Sequence, residues 1–314
     1  MKLMNPDDFS EVWSATPTPF DENYRIDEAS VVRLVRHHLQ LSVKGLFLAG
    51  TCGEGPWMRD DCRWRLLRTA VAAAEGKLRI AMQVSDNSAA RILENIDAAY
   101  HGGADMVVIA EPFFLMNATP GNLIALYEKA VSGSSLPVCI YNRGRHANVK
   151  LPAEVLKVIY QLPGVVAIKD SSADPASREI ALEARRKRPE LRLLNGDEFL
   201  VSEHFEAGYD SVLLGGCVFN AGYARAIRDA WRQGDQKQAL RLNEAMKELN
   251  WTVYGGRDNA CWLAGLKHLL VKMGIFSTEN HFLNFSLSTE CAAAIEDLVQ
   301  RGNFLQPEVE STTR

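Results

Sequence analysis

The sequence repeats one pattern eight times: a short apolar or β-branched run is followed by a stretch in which apolar residues recur every three or four positions. The runs that we predict as strands span residues 12–15, 45–49, 78–84, 106–110, 137–141, 165–169, 191–195 and 211–214. The stretches that we predict as helices span residues 28–41, 60–74, 89–100, 121–132, 153–160, 176–187, 198–207 and 221–233. Several strands are apolar almost throughout, which is typical of a parallel sheet that is covered on both faces.

Eight consecutive βα units predict a closed TIM (β/α)8 barrel within residues 1–233. A doubly wound sheet is the alternative. That fold normally has fewer strands and a glycine-rich turn after the first strand. Here the first strand is followed by Thr16-Pro17-Thr18-Pro19, so the barrel is favoured.

The alternation stops after residue 233. The remaining periodic stretches, at 235–254, 258–273 and 288–302, are predicted as helices with no strand between them. No Gly/Ser/Pro-rich linker precedes them. We therefore expect residues 234–314 to form a C-terminal helical extension that packs on the barrel.

Composition and charge narrow the possible partners. A formal net charge of −4 argues against a nucleic-acid partner. No apolar stretch approaches the length of a membrane span, so we expect no membrane partner and a cytoplasmic location. The six cysteines form no CxxC pair and the seven histidines form no HxH or HxxxH pair, so we expect neither a disulfide framework nor a metal site.

Lys169 is the most informative polar residue at the end of a predicted strand, where a TIM barrel has its active site. It closes the apolar run 165–168, so its side chain would be desolvated if it pointed into the barrel. Burial lowers a lysine pKa and favours the neutral amine that can attack a carbonyl. The alternative is a structural lysine that is paired with Asp170 or Glu198.

Two further segments sit at strand ends. Tyr141 ends the fifth strand and could act as a general acid–base, or its ring could simply fill the top of the barrel. Residues 50–55, Gly-Thr-Cys-Gly-Glu-Gly, follow the second strand; we call them the glycine loop. Successive N–H groups in such a loop can bind a carboxylate, although a tight turn without a ligand is the alternative. Within the loop, Glu54 is predicted to brace the backbone.

Taken together, these segments resemble the dihydrodipicolinate synthase/N-acetylneuraminate lyase family of class I aldolases, over most of residues 10–300. The matching segments are Thr16-Pro17-Thr18-Pro19-Phe20, Gly50-Thr51-Cys52-Gly53-Glu54, Tyr141-Asn142, Lys169-Asp170-Ser171-Ser172 and Asn195-Gly196-Asp197-Glu198.

The resemblance implies that Lys169 forms an imine with the C2 carbonyl of a 2-oxo acid and that Tyr141 is the acid–base. It implies that Thr51 and Cys52 hold the C1 carboxylate and that Gly196 contacts the substrate. No metal or organic cofactor is required. The family also implies a homotetramer assembled from dimers.

Three positions differ from the dihydrodipicolinate synthases. Those enzymes have a second threonine where this chain has Cys52, and a tyrosine that enters the neighbouring subunit where this chain has Phe114. They have an arginine for the carboxylate of the aldehyde substrate where this chain has His146, with Arg145 one residue earlier. These differences argue against that biosynthetic activity.

The segment Tyr141-Asn142-Arg143 is instead similar to the keto-deoxy-glucarate dehydratases. Arg143 and Arg145 are therefore candidates to bind a distal carboxylate or hydroxyl, with two solvated loop cations as the alternative. Asp197 and Glu198 could accept hydrogen bonds from a sugar-acid chain, or could be ordinary acids at a helix N-terminus.

We therefore expect a lyase of the aldolase type that acts on a small 2-oxo acid, derived from a sugar or aromatic precursor, and releases pyruvate or a relative. A keto-deoxy-sugar-acid dehydratase is the first alternative, and a dihydrodipicolinate synthase is less favoured. A non-catalytic sensor of 2-oxo acids is the alternative from another class. The presence of both Lys169 and Tyr141 argues against a sensor.

Overall fold

The computed structural model describes residues 4–307, and within them eight parallel strands form a closed barrel. Each strand pairs with the next along the chain, and the last pairs with the first through Trp13 and Leu213. The predicted TIM barrel is therefore confirmed. The strands are β1 (Trp13–Ala15), β2 (Gly45–Leu48), β3 (Arg79–Gln83), β4 (Met106–Ala110), β5 (Val138–Asn142), β6 (Val165–Asp170), β7 (Arg192–Asn195) and β8 (Ser211–Leu214).

A helix follows each strand. The helices are α1 (Glu28–Gln40), α2 (Asp60–Ala74), α3 (Ala89–His101), α4 (Pro120–Ser132), α5 (Ala153–Ile159), α6 (Pro175–Lys187), α7 (Val201–Glu206) and α8 (Ala221–Arg232). Side-chain caps begin several of them: the side chain of Asp27 accepts the Ser30 N–H, and that of Thr119 accepts the Asn122 N–H.

Helix α7 is the one barrel helix whose predicted start differs from the structure by more than one residue. It begins at Val201 rather than at residue 198. The preceding residues form a turn, in which Asp197 accepts the Phe199 N–H and itself donates its N–H to Asn195. Asp197 and Glu198 are thus outside the helix, and their interpretation as helix N-terminal acids is wrong.

The C-terminal extension contains α9 (Gln236–Tyr254), α10 (Trp262–Lys272) and α11 (Thr289–Arg301). Helix α10 starts four residues later than predicted because residues 255–260 form turns, with Gly255 in the left-handed region at φ 78°. The extension shares an apolar core with the barrel, in which Leu263 and Leu266 pack with Cys52 and Val218. A domain boundary at residue 233 stays a prediction, and residues 308–314 lie outside the described part.

The barrel interior is filled by small and aromatic side chains. Trp13 and Phe47 lie in this interior cluster with Ala167 and Tyr141, whereas Ile168 belongs to the cluster outside the barrel wall. This alternation along β6 turns Lys169 inward, because side chains two apart on a strand share a face. All six cysteines are free and buried. No helix in the described range combines the length and apolarity needed to cross a bilayer.

Candidate active site

Lys169 lies at the top of the barrel interior and is 4% exposed. Its Nζ atom lies 4.2 Å from the centroid of the Tyr141 ring and 5.0 Å from that of Phe47. No carboxylate of residues 4–307 lies within ion-pairing distance of it. Asp170, whose side chain lies on the other face of β6, accepts the hydroxyl of Tyr209 at 2.9 Å. The alternative of a structural lysine paired with Asp170 or Glu198 is therefore wrong.

Tyr141 is the cross-strand neighbour of Lys169, since the register of β5 and β6 pairs these two residues directly. Its ring packs edge-on against Phe47, with centroids 6.0 Å apart. Its hydroxyl makes no hydrogen bond to any residue that the structure describes. The ring therefore fills the top of the barrel as the alternative interpretation expected, and the hydroxyl remains available to a ligand.

The glycine loop presents unpaired hydrogen-bond donors beside Lys169 and Tyr141. Within the described chain, the N–H groups of Thr51 and Cys52 donate to no acceptor, and the Thr51 hydroxyl is buried without a partner. The loop is held from below by the Thr18 hydroxyl, which donates to the Gly53 carbonyl at 2.7 Å. A Cβ atom at Gly55 would lie 1.8 Å from the Ala49 carbonyl oxygen, so only glycine fits there. The loop thus has the donors that a carboxylate needs.

Glu54 braces the loop, as predicted. Its backbone is left-handed at φ 59°, and its carboxylate is fully buried. Oε1 lies 2.6 Å from Nζ of Lys267 on α10, and Oε2 accepts the Phe282 N–H at 2.5 Å. The carboxylate is thus fully engaged away from the ligand-binding side.

These elements surround one cavity of about 490 Å³ at the C-terminal ends of the strands; we call it the central cavity. Every residue predicted for the site lines it: Thr51, Cys52, Tyr141, Arg143, Arg145, Lys169, Gly196 and Asp197. Gly196 leaves room for the lysine, because a Cβ atom there would lie 2.8 Å from Cε of Lys169. Their catalytic and binding roles remain predictions.

The extension contributes lining residues that sequence reasoning missed: Tyr254, Asp258, Asn259, Trp262 and Phe285. Because they follow no strand, the strand-end rule could not find them. Trp262 and Phe285 pack edge-on with ring centroids 5.5 Å apart, and they add an apolar wall to the mouth of the cavity.

Glu198 lies at the inner wall of the central cavity and is fully engaged by neutral donors. The Gly216 N–H donates to it at 2.8 Å and the Tyr254 hydroxyl at 2.7 Å. Burial raises the pKa of this carboxyl above its usual value, and the two hydrogen bonds and the Lys169 charge oppose that shift only in part. Burial likewise raises the pKa of the Cys52 thiol, so the thiol stays protonated at neutral pH.

The two arginines differ in their surroundings. Arg143 donates from its backbone to Glu111 at 2.8 Å and from Nε at 3.1 Å, so its interpretation as a solvated loop cation is wrong. Arg145 is exposed, and its Nε lies 3.3 Å from Nε2 of His146. Burial and the Arg145 charge lower the pKa of His146.

Among residues 4–307, no cluster of three or more His, Cys, Asp and Glu side chains could hold a metal ion. Independence from metals stays a prediction.

Comparisons with known proteins give matches both in sequence and in structure. The sequence model of the Dihydrodipicolinate synthetase family matches residues 8–294. N-acetylneuraminate lyase 2 of Escherichia coli O6:H1 is 27% identical over 276 residues, which are 86% of this chain and 87% of that protein. N-acetylneuraminate lyase of Escherichia fergusonii is 29% identical over 269 residues, 85% of this chain and 87% of that protein. The structure of dihydrodipicolinate synthase from Bacteroides thetaiotaomicron has a TM-score of 0.84 and 25% identity, and the match covers 93% of this chain and 98% of that one.

Proposed function

The chain belongs to the dihydrodipicolinate synthetase family and is an aldolase-type lyase, and we propose that it cleaves a 2-oxo acid through a Schiff base on Lys169. The observation that carries the proposal is the isolation of the lysine. It lies in the barrel, without a carboxylate partner in the described chain, beside the ring of Tyr141. A structural lysine at such a depth would be paired.

The proposed reaction begins when Nζ of Lys169 attacks the C2 carbonyl. The Tyr141 hydroxyl gives its proton to the C2 oxygen, which leaves as water, and a protonated imine and a Tyr141 phenolate remain. The N–H groups of Thr51 and Cys52 hold the C1 carboxylate. The C3–C4 bond then breaks, and its electron pair passes to the imine nitrogen and leaves an enamine. The Tyr141 phenolate formed in the first step takes the proton of the C4 hydroxyl as the aldehyde departs. Protonation of C3 and hydrolysis of the imine release pyruvate or a related 2-oxo acid and regenerate the lysine.

Borohydride trapping tests this proposal. Pyruvate plus borohydride should add one covalent mass to the intact protein, and peptide mapping should place it on Lys169. Lys169→Ala should abolish the adduct, and Lys169→Arg should not restore it because a guanidinium does not form the imine. An unmodified protein, or an adduct on another lysine, would refute the mechanism.

A dehydratase is the second candidate, and Glu198 is the observation that favours it. Glu198 lines the central cavity, and burial raises the pKa of its carboxyl, which favours the protonated form that can give its proton to a leaving hydroxyl. A screen of 2-oxo acids separates the two reactions, because aldol cleavage releases an aldehyde with pyruvate whereas dehydration removes water and keeps the carbon chain intact.

We further propose that the enzyme is a cytoplasmic homotetramer. Two large apolar side chains in the loop after β4 support association, since Phe114 is 65% exposed and Met116 is 75% exposed. Sedimentation equilibrium should give the mass of four chains. A monomer at micromolar concentration would contradict the tetramer but would not bear on the proposed Schiff-base mechanism.

A further inference from the structure

We infer that Glu111 is a positioning residue that fixes and neutralises the Arg143 guanidinium, so that Arg143 recognises an uncharged oxygen of the substrate chain while Arg145 takes its distal carboxylate. This inference rests on the proposed function. From the sequence, Arg143 and Arg145 are joint candidates to bind a distal carboxylate or hydroxyl, and the inference gives each arginine one of these groups. The substrate class is then a hydroxylated 2-oxo acid with a second carboxylate.

The contact between Glu111 and Arg143 uses both carboxylate oxygens. Oε1 accepts the Arg143 backbone N–H at 2.8 Å, and Oε2 accepts Nε at 3.1 Å. The first bond fixes the chain where the short 3-10 turn Gly144–His146 begins, and the second fixes the guanidinium plane. Glu111 itself is 0% exposed and follows β4 directly. Its position is therefore set by the barrel wall rather than by a mobile loop.

The two terminal nitrogens of Arg143 remain for the substrate. They make no hydrogen bond within residues 4–307, and Arg143 lines the central cavity. Because a guanidinium is planar and rigid, fixing Nε also fixes the directions of the terminal N–H groups. Glu111 thus prepares a donor of defined direction before the substrate arrives.

Charge decides which substrate group suits each arginine. A buried carboxylate needs a counter-charge, and Arg143 is the cation that Glu111 contacts. Burial raises the pKa of Glu111, and the Arg143 charge and hydrogen bonds oppose that shift. In the ionised pair the two charges cancel, and an anion brought to Arg143 would also meet the negative charge of Glu111. A hydroxyl or carbonyl oxygen meets no such repulsion and still gains a charge-assisted hydrogen bond.

Arg145 offers the contrasting environment. No carboxylate in the described range pairs with it, and it lines the mouth of the same cavity. Its neighbour His146 accepts the Arg145 Nε–H at 3.3 Å, and an imidazole carries no negative charge. Asp197 also lines the cavity, but its carboxylate accepts the Phe199 N–H rather than an arginine. Because no described carboxylate pairs with Arg145, its charge is available to bind the distal carboxylate of the substrate.

Two matched probes test the division of roles. 4-Hydroxy-2-oxoglutarate and 4-hydroxy-2-oxopentanoate share the hydroxyl and differ in the distal carboxylate. Cleavage is measured as the release of pyruvate. Each probe is also titrated as a competitor of pyruvate trapping on Lys169, so that binding without turnover is still measured. Failure of both probes to be cleaved or to compete would overturn the inferred substrate class.

Arg145→Gln should lower kcat/KM, or the competing affinity, for the dicarboxylate by about tenfold to a hundredfold, the range of one hydrogen bond to a charged group, and should leave the monocarboxylate within about threefold. Glu111→Gln and Arg143→Gln should each weaken both probes by similar factors and leave the half-saturating pyruvate concentration for trapping unchanged. A selective loss of the dicarboxylate in the Glu111 or Arg143 variants would reverse the assignment and overturn it.

The double variant Glu111→Gln/Arg143→Gln identifies Glu111 as a positioning residue. If Glu111 acts through Arg143, its substitution should cause no further loss in the Arg143→Gln background, whereas additive losses would contradict the inference. The double variant also removes both charges together, so it stays informative if Glu111→Gln alone does not fold. Arg192→Gln, at the opposite end of the barrel, makes the same charge change as the single variants Arg143→Gln and Arg145→Gln and should leave both probes unaffected. If the wild type does not trap pyruvate at all, the proposed function itself is refuted. That result is distinguishable from every outcome that concerns Glu111, Arg143 and Arg145.

Discussion

Nζ of Lys267 lies 2.6 Å from Oε1 of Glu54, and both side chains are 0% exposed. Lys267 belongs to α10 of the extension and Glu54 to the glycine loop. The lysine also donates to the Asn280 carbonyl at 2.5 Å and lies 4.5 Å from the centroid of the Phe20 ring. The extension is therefore joined to the loop that carries Thr51 and Cys52 through a desolvated ion pair.

We expect Lys267→Met to lower the free energy of unfolding by about 3–5 kcal/mol, because it leaves the Glu54 charge buried without its partner. The measurement is urea denaturation at pH 7. The double variant Glu54→Gln/Lys267→Met removes both charges and should recover most of the loss. Equal destabilisation in the single and double variants would show that the ion pair is not the cause.

The sequence was sufficient for the barrel because each of its signals is local. Apolar runs such as 106–110 need no knowledge of distant residues, and they predicted the strand bounds to within one residue. Lys169 and Tyr141 were found for the same reason, since both end a strand.

What the sequence could not supply depends on contacts between distant segments. Glu198 accepts a hydrogen bond from the hydroxyl of Tyr254, which lies 56 positions further along the chain, and this contact holds Glu198 in the cavity wall. Glu111 likewise meets Arg143 across 32 positions. No spacing rule predicts such pairs, because they arise only when the barrel closes and the extension docks.

Tyr141→Phe should lower kcat by roughly 10²- to 10⁴-fold, the usual contribution of a general acid–base. The ring packs on Phe47 and beside Lys169, and it is retained in phenylalanine, so folding should not change. Pyruvate should still be trapped on Lys169 after prolonged incubation. Steady-state cleavage and intact-mass analysis are the two measurements. Tyr100→Phe removes a hydroxyl from an exposed ring and serves as the control; unchanged kcat in Tyr141→Phe would exclude the proposed proton transfer.

His38 should make the protein sensitive to mild acid. Burial, with the neighbouring His37, lowers its pKa from 6.5 to about 3, while its ring nitrogens pair with Leu34 and Ser14. Between about pH 3 and pH 6.5, His38 therefore binds a proton in the unfolded chain but not in the folded chain. The free energy of unfolding therefore falls as pH drops below 6.5, by up to about 1.4 kcal/mol per pH unit from this residue.

Urea denaturation between pH 7 and pH 5 measures this dependence. His38→Gln should lose about 2 kcal/mol less than the wild type over that interval, since the variant has no proton to gain at this position. His101→Gln removes an exposed histidine instead and is the control. Parallel pH profiles for the wild type and His38→Gln would contradict the assignment.

The last prediction separates this enzyme from the synthases of its family, and it depends on Phe114, Cys52 and His146. Condensation of pyruvate with aspartate semialdehyde needs a relay of protons to bulk water and a cation for the carboxylate of the aldehyde. Phe114 has no hydroxyl, the Cys52 thiol is a poor hydrogen-bond partner whose pKa burial raises, and the lowered pKa of His146 leaves that ring neutral at pH 7. Each difference should cost about 10²-fold, the low end for such groups, so condensation should be negligible although pyruvate still forms the imine. The measurement is a coupled dihydrodipicolinate reductase assay at saturating pyruvate, with borohydride trapping on the same sample as the control for an intact site. Turnover of about one per second or more, which is common among enzymes, would show that these three side chains do not set the choice of reaction.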